Sequence, residues 1–289
     1  MEHKECPLCA GPEIIRMKNY EKCYLSKCTS CSFVFTYKIP EKQELKNYYR
    51  TYGLSTCVPP VTIKRYNEIL NGFKKYRHTN KILDIGCGAG YFLEEAKEHG
   101  WNTYGVEYSD EAINVCKGKG INIIDIEESY AIQIKDFDII MFTEVIEHLS
   151  YPKIYLNLIS DRIRHGGLLY ITTPNFNSIS RILTKNNWPL LNYPEHLSFY
   201  TVKTLKKELA GLNFKLVYVK THGLSLSQMK RSKKNSEEKY PEIYKNVEDE
   251  KIREFAEKRP IFRIIKNIIN YLLNLAKKGD TIKCMAIKN

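Results

Sequence analysis

The stretch Lys81 to Leu93, KILDIGCGAGYFL, constrains the fold more than any other part of the chain. Ile82, Leu83 and Ile85 make the short apolar run of a buried parallel strand, with Asp84 near its end. Gly86, Gly88 and Gly90 follow, and a helical pattern starts at Tyr91. A strand, a glycine turn and a helix start together form a cradle for a nucleotide-like ligand. The glycines let backbone approach the ligand, and the helix start presents unpaired N–H groups. A dinucleotide fingerprint would need its third glycine at Tyr91; here that glycine comes one residue earlier.

The pattern after the cradle alternates strands and helices, which predicts an α/β fold. Phe92 to Glu98 continues the first helix and Gly100 ends it. Asn102 to Val106 reads as the second strand with Glu107 at its tip, an acidic residue placed to accept ribose hydroxyls. Ser109-Asp110-Glu111 caps the next helix, and Ile121 to Ile124 is a third strand followed by Asp125. Phe137 to Phe142 is the fourth strand, and Glu144, Glu147 and His148 follow it. A helical turn beginning at Glu144 would put all three on one face. Pro152 to His165 reads as a helix stopped by Gly166-Gly167, with Leu168 to Thr172 as the fifth strand. Thr201 to about Gly211 is a helix, Asn213 to Lys220 the sixth strand, and Thr281 to Ile287 a final strand.

Two pairs, Cys6-Pro-Leu-Cys9 and Cys28-Thr-Ser-Cys31, precede this region. Four thiolates at that spacing close a tetrahedral structural zinc site, a ribbon of about 40 residues too small to fold on its own core. The ribbon either covers substrate or only stabilises the chain. The chain then divides into a zinc ribbon (1–40), a helical cap or linker (41–78), the α/β domain (79–225 with 279–289) and a charged helical insertion (226–278). The loop over 174–200 is long enough to be a lid. It holds Trp188 and Tyr193, read as flanking a substrate or simply packing, and His196. Pro260 to Ala276 is an amphipathic helix with Ile261, Ile264, Ile265, Ile268, Leu272 and Leu275 on one face. That face is read as packing on its own domain; peripheral contact with a membrane, or a dimer, is the alternative.

Composition bounds the remainder. With 289 residues the chain holds one large domain or a medium one with additions. The nine cysteines are not arranged as a disulfide framework, no leader pattern opens the chain, and no apolar run is long enough to span a bilayer. The expectation is a cytoplasmic protein. The net charge of +12 is diffuse and reads as lysine-rich composition, with nucleic acid as the alternative partner.

The D-x-G-x-G-x-G segment resembles motif I of class I S-adenosylmethionine (SAM) dependent methyltransferases. The run EVIEHL, a helix, GGLLYITTPN and then PEHLSFYT resembles the members that include the ubiquinone-biosynthesis O-methyltransferases and enzymes of surface-glycan gene clusters. The resemblance covers about residues 78–223. It implies a Rossmann-like, seven-stranded, mostly parallel sheet, completed by the final strand paired with the sixth as a hairpin, with SAM across the strand tips. Asp84, Gly86, Gly88 and Gly90 would hold the methionine part, and Glu107 the ribose. Asp125 and Ile126 would meet the adenine, and Glu144 is counted with the cofactor-binding residues. Glu144, Glu147, His148 and His196 also look similar to the metal-holding set of small-RNA terminal 2′-O-methyltransferases. They are read either as a site for Mg2+ or another divalent metal, or as a base (His148 or His196) with structural neighbours. The implied reaction is O-methylation of a small molecule or glycan or nucleotide-sugar precursor. RNA 2′-O-methylation and a non-catalytic SAM-fold binding protein are the alternatives. Oligomeric state is not legible.

Overall fold

The computed structural model describes residues 1–49, 58–124, 134–224 and 260–289. Asp125, Ile126 and residues 226–259 of the expected insertion lie outside them.

The central sheet is built from β4 (Lys81–Ile85), β5 (Asn102–Val106), β6 (Asn122–Ile124), β7 (Phe137–Thr143), β8 (Ile163–Pro174), β10 (Phe214–His222) and β11 (Thr281–Lys288). Its order is β10-β11-β8-β7-β4-β5-β6. β11 is antiparallel to both neighbours, while β8, β7, β4, β5 and β6 pair in parallel. The expected seven-stranded, mostly parallel sheet with a late hairpin strand is what forms. β7 shows why its sequence is almost wholly apolar. It is buried from Phe137 to Phe142 because both sheet faces are covered.

Helices α2 (Pro60–Phe73), α3 (Tyr91–Glu98) and α4 (Asp110–Gly118) pack one face through Leu70, Phe73, Leu93, Ala96 and Cys116. Helices α5 (Pro152–Arg162) and α7 (Val202–Gly211) cover the other through Leu156, Ile159, Leu205 and Leu209. That second core runs without a break into Cys6, Leu8, Phe33 and Phe35 of the N-terminal region. Asp138, fully buried at the amino end of β7, accepts from the backbone N–H groups of His78, Thr79 and Asn80 at 2.8 Å each. It also accepts from Arg164 Nε. This acid therefore fastens the end of the sheet opposite the strand tips.

Three expectations need correction. The helix expected to run to His165 ends at Arg162, and β8 begins at Ile163. Ile163 is buried and pairs with Phe137, whereas Leu168 pairs with Ile139, so the residues between bulge out of the ladder. Gly166 (φ 74°) and Gly167, where a Cβ would meet Phe137 O at 2.9 Å, serve that bulge rather than a helix stop.

The 174–200 segment, read as a lid without structure of its own, contains α6 (Ile179–Thr184), a 3₁₀ turn (Lys185–Asn187) and β9 (Ser198–Phe199). β9 joins β1 (Ile14–Arg16), β2 (Leu25–Cys28) and β3 (Val34–Thr36) in a second sheet, pairing Val34 with Phe199 and Phe35 with Ser198. The boundary at residue 40 thus cuts across one sheet. Trp188 packs with Leu25, Val34, Phe176 and Phe199 at 2% exposure, so it is core rather than a substrate wall. Tyr193 meets Tyr24 edge-on at 5.1 Å.

The third correction concerns α8 (Pro260–Ala276). Its apolar row faces outward: Ile264, Ile268, Leu272 and Leu275 are 55–61% exposed, while Leu273 on another side is buried. The helix is fixed by polar contacts instead. Thr221 N–H donates to Asn274 Oδ1 and Gly223 N–H to Asn270 Oδ1. Among the described residues no helix is long and apolar enough to cross a membrane.

Candidate active site at the strand tips

Register brings the tips of four strands into one row, because Ile85 pairs with Val106 and with Phe142, and Phe142 with Ile171. Thr172, Thr143, Gly86 and Glu107 therefore lie side by side in that order along the carboxyl edge, with Glu144 one residue beyond Thr143, where open α/β sheets hold their ligands.

The glycine turn is strained in the way a cradle requires. Gly86, Gly88 and Gly90 have φ of 75°, 54° and 73°, the left-handed region that disfavours a Cβ. A Cβ on Gly86 would strike Val145 at 2.4 Å and one on Gly90 would strike Ile121 at 2.5 Å, whereas one on Gly88 would point into open space. Gly88 is thus the position where a ligand can come up against backbone. Glu107 closes the turn. Its Oε2 accepts from Gly88 N–H at 2.7 Å, and its Oε1 from Tyr108 and Ser109 N–H at 2.7 and 3.0 Å. Asp84 lies beneath, 5% exposed, with Oδ1 buried and unpartnered among the described residues. Burial first, and the Glu107 carboxylate second, hold Asp84 well above the usual carboxylate range. A buried acid with an unmatched oxygen beside an open glycine turn fits a ligand bearing an ammonium or sulfonium charge.

A second cluster lies across the crevice. Glu147, His148 and His196 offer ligand atoms that all fall within 4.8 Å of one another. His148 Nδ1 is 2.8 Å from Glu195 O, and His196 Nδ1 is 2.7 Å from Leu190 O. Carbonyls only accept, so each Nδ1 carries the proton and each Nε2 is the basic nitrogen. Glu147, 2% exposed, has Oε1 at 4.0 Å from His148 Nε2, and its Oε2 accepts from Thr173 Oγ1 at 2.9 Å. Burial, then repulsion from Glu144, raises the Glu147 carboxyl well above its usual range, against the Thr173 bond. Burial, then neighbouring His196, pushes His148 down to about 4.

Glu144 does not join this cluster as the ExxEH spacing suggested. It takes φ 55°, and the helical turn behind it is a single 3₁₀ turn, Ile146–His148, so the face changes between Glu144 and Glu147. It is exposed on the crevice, and the protein around it raises its carboxyl, against the neighbouring Thr172 hydroxyl and the charge of Arg65.

Helix α1 (Lys42–Tyr49) bridges the two clusters. Tyr108 OH donates to Lys42 O at 3.4 Å, Tyr48 OH donates to Glu195 Oε2 at 2.7 Å, and Tyr49 OH is 3.1 Å from His148 Nδ1. The N-terminal sheet reaches the site through backbone. Thr36 N–H donates to Leu197 O, and Leu197 N–H donates to Glu147 O, both at 2.8 Å. Thr173, Leu190 and Thr36 were not legible as site residues. Only Thr173, a hydroxyl at a strand tip, carried any signal.

The four ribbon thiols converge. Cys6 and Cys31 Sγ are 3.6 Å apart, Cys9 and Cys28 Sγ 3.7 Å, and three of the four residues are buried. Thiolates about 2.3 Å from a tetrahedral zinc would lie about 3.8 Å apart.

The sequence of residues 62–219 matches the family described as "Methyltransferase domain". The chain belongs to that family. A ubiquinone biosynthesis O-methyltransferase of Colwellia psychrerythraea is 31% identical over 121 residues, 39% of this chain and 48% of that protein. Its counterpart in Idiomarina loihiensis is 28% identical over 134 residues, 42% and 55% of the two chains. The chain thus spans about half the length of the curated relatives it matches. Among solved structures, a SAM-dependent methyltransferase from Archaeoglobus fulgidus superposes with TM-score 0.53 at 23% identity, covering 84% of this chain and 99% of that one. Magnesium protoporphyrin IX methyltransferase from Synechocystis gives 0.52 at 10%, covering 86% and 100%. The structural likenesses are of fold.

Proposed function

We propose that the chain transfers the methyl group of SAM to a hydroxyl oxygen of a small-molecule or glycan-precursor acceptor. The observation that carries this is the pairing of a glycine turn open at Gly88 with two imidazoles and a carboxylate across one crevice. The curated relatives bear O-methyltransferase names, which supports an oxygen acceptor.

When bound, SAM supplies a methyl group activated by its sulfonium. Asp84 and the Gly86–Gly90 backbone would seat the methionine part. Glu107 would take the ribose with the acceptor capacity that three backbone N–H groups leave it. In-line displacement demands that the acceptor approach opposite the sulfur, so positioning in a dry crevice does much of the work. α1 reaches the site through Tyr48, on Glu195, and Tyr49, on His148.

Glu147, His148 and His196 suit a divalent cation. Each imidazole has its Nδ1 tied to a carbonyl, the support that metal-ligating histidines receive, and two nitrogens with one carboxylate favour a first-row transition ion over Mg2+. Such an ion would acidify an acceptor hydroxyl. A histidine near 4 is a weak base but a good neutral ligand, which gives His148 to the ion; His196, whose one lone pair would also be on the ion, is the acceptor's base only in a chain without metal. Cys6, Cys9, Cys28 and Cys31 hold a structural zinc, with no position left for chemistry. The free thiols of the described cysteines suit a reducing compartment, the cytoplasm.

The test is methyl transfer from labelled SAM into fractionated cell extract, with and without a chelator mild enough to spare the thiolate zinc. Label in a small-molecule or glycan fraction that is lost on chelation and restored by Mn2+ is expected. Label that survives chelation would remove the metal. Label in RNA would overturn the acceptor class.

A further inference from the structure

On the face of the sheet beside α2, between α2 and α8, lies a groove of about 1190 Å³ whose floor is formed by β8, β11 and β10. The floor carries a pairing that a sheet avoids. Lys220 of β10 and Lys283 of β11 are directly opposed in the antiparallel register, although like charges opposite each other destabilise a pair of strands. Both ammonium groups sit over aromatic rings, Lys220 Nζ 5.0 Å from the Tyr218 centroid and Lys283 Nζ 5.3 Å from that of Tyr170. The walls add Lys64, Arg65 and Lys75 from the α2 side and Arg263 and Lys266 from α8, against one carboxylate, Glu68, among the described lining residues. Burial, then the charges of Arg65 and Lys220, lowers the ammonium of Lys283, with Glu68 opposing. Lys283 pairs with Thr172 of β8, which pairs in turn with Thr143 beside Glu144, so the groove floor adjoins the strand tips of the crevice.

We propose that this groove binds a diphosphate group, the anionic part of an acceptor whose hydroxyl reaches the crevice; the acceptor role rests on the methyltransferase reading, the binding does not. A diphosphate diester carries two negative charges. Lys220 and Lys283 on the floor, with Lys64, Arg65, Lys75, Arg263 and Lys266 on the walls against Glu68, supply more positive charge than such a group needs. An anion between Lys220 and Lys283 relieves their repulsion, which Glu68 offsets in the empty groove, so the site gives up stability when empty and gains affinity when filled. The position of the floor between the α2 and α8 walls, and its tyrosines, favour a compact ligand over an extended strand of nucleic acid.

Calorimetry on the full chain tests this, with inorganic pyrophosphate, uridine diphosphate and uridine as probes and S-adenosylhomocysteine (SAH) titrated separately. Lys220→Glu is the informative variant. It turns a like-charge pair into an opposite one, so its melting temperature should rise while pyrophosphate and uridine diphosphate affinities fall at least tenfold and SAH affinity holds. Lys283→Met should lose the same anions. Uridine diphosphate binding more tightly than pyrophosphate assigns a soluble nucleotide source. Retention on phosphatidylcholine vesicles holding a polyprenyl diphosphate, but not on plain ones, assigns a lipid source. SAH binding with no pyrophosphate binding, or equal affinity in Lys220→Glu, overturns the proposal alone. Loss of SAH binding with pyrophosphate retained supports the groove and removes the reaction. An RNA oligonucleotide that outcompetes pyrophosphate with a steep salt dependence overturns it in favour of a nucleic acid.

Discussion

Replacing Thr173 by Val isolates the hydroxyl that supports Glu147. Thr173 is fully buried and its Oγ1 lies 2.9 Å from Glu147 Oε2. Valine keeps the shape, so no cavity opens and the loss is one hydrogen bond to a carboxylate, about 1.5–3 kcal/mol. If Glu147 is a ligand, that loss falls on the ion, and the concentration of Mn2+ giving half-maximal methyl transfer rises about 10- to 100-fold. The pH dependence should move too. Burial and Glu144 already raise Glu147, and its own backbone N–H and then Thr173 hold it down. Without Thr173 the carboxyl keeps its proton to higher pH, so metal saturation in the variant needs a higher pH than in the native chain. Initial rates against Mn2+ at several pH values, with SAH affinity as control, measure both shifts. Unchanged metal saturation and an unchanged pH profile in Thr173→Val would refute a metal role for Glu147. Equal losses of SAH affinity would place the threonine in cofactor binding instead.

The glycine turn offers a contrast. Gly88→Ala should lower SAH affinity at least tenfold with a small change in melting temperature, since its Cβ meets only open space and the left-handed backbone costs about 1–2 kcal/mol. Gly86→Ala, which strikes Val145, should lower the melting temperature as well; calorimetry and thermal melts separate them. Cys31→Ser should release zinc, measured by elemental analysis, and reduce methyl transfer although Cys31 touches no substrate; full activity in a zinc-free variant would refute the coupling. In the metal-free chain His148 lies at about 4 and its unfolded value near 6.5. Between these the unfolded chain binds the extra proton, so stability falls as pH drops from about 6.5 toward 4, by up to about 3 kcal/mol. His148→Gln should flatten that slope in urea titrations.

What was legible in the sequence is what local pattern determines. The apolar runs at 82–85, 102–106 and 137–142 are strands because their period and their bounding glycines leave little else. Gly88 and Glu107 stand in the expected places because strand tips align. Glu144 was misplaced because ExxEH spacing assumes an α-helical turn, and a left-handed residue followed by a 3₁₀ turn breaks that geometry. Leu190 acts through its carbonyl, which no side-chain pattern reports, and Thr36 through its N–H and a hydroxyl that donates to His196 O at 3.4 Å, a partner far away in sequence. β9 is two residues long and has meaning only against β3, more than 160 residues away in sequence, so nothing local marks it. The Lys220–Lys283 opposition likewise appears only once the hairpin register is known.

The strand shared between the N-terminal sheet and the lid segment bears on how such a chain can change over generations. A module joined by a linker can be lost, duplicated or exchanged with little effect on its neighbour. Here removal of residues 1–40 would leave β9 with an open edge, uncover Phe199 and Trp188, and free the Leu197 carbonyl that steadies the segment between Glu147 and His196. Recombination at that boundary would be purged unless the lid changed with it, so the cysteine knuckles and the PEHLSFYT segment are expected to be inherited as one unit.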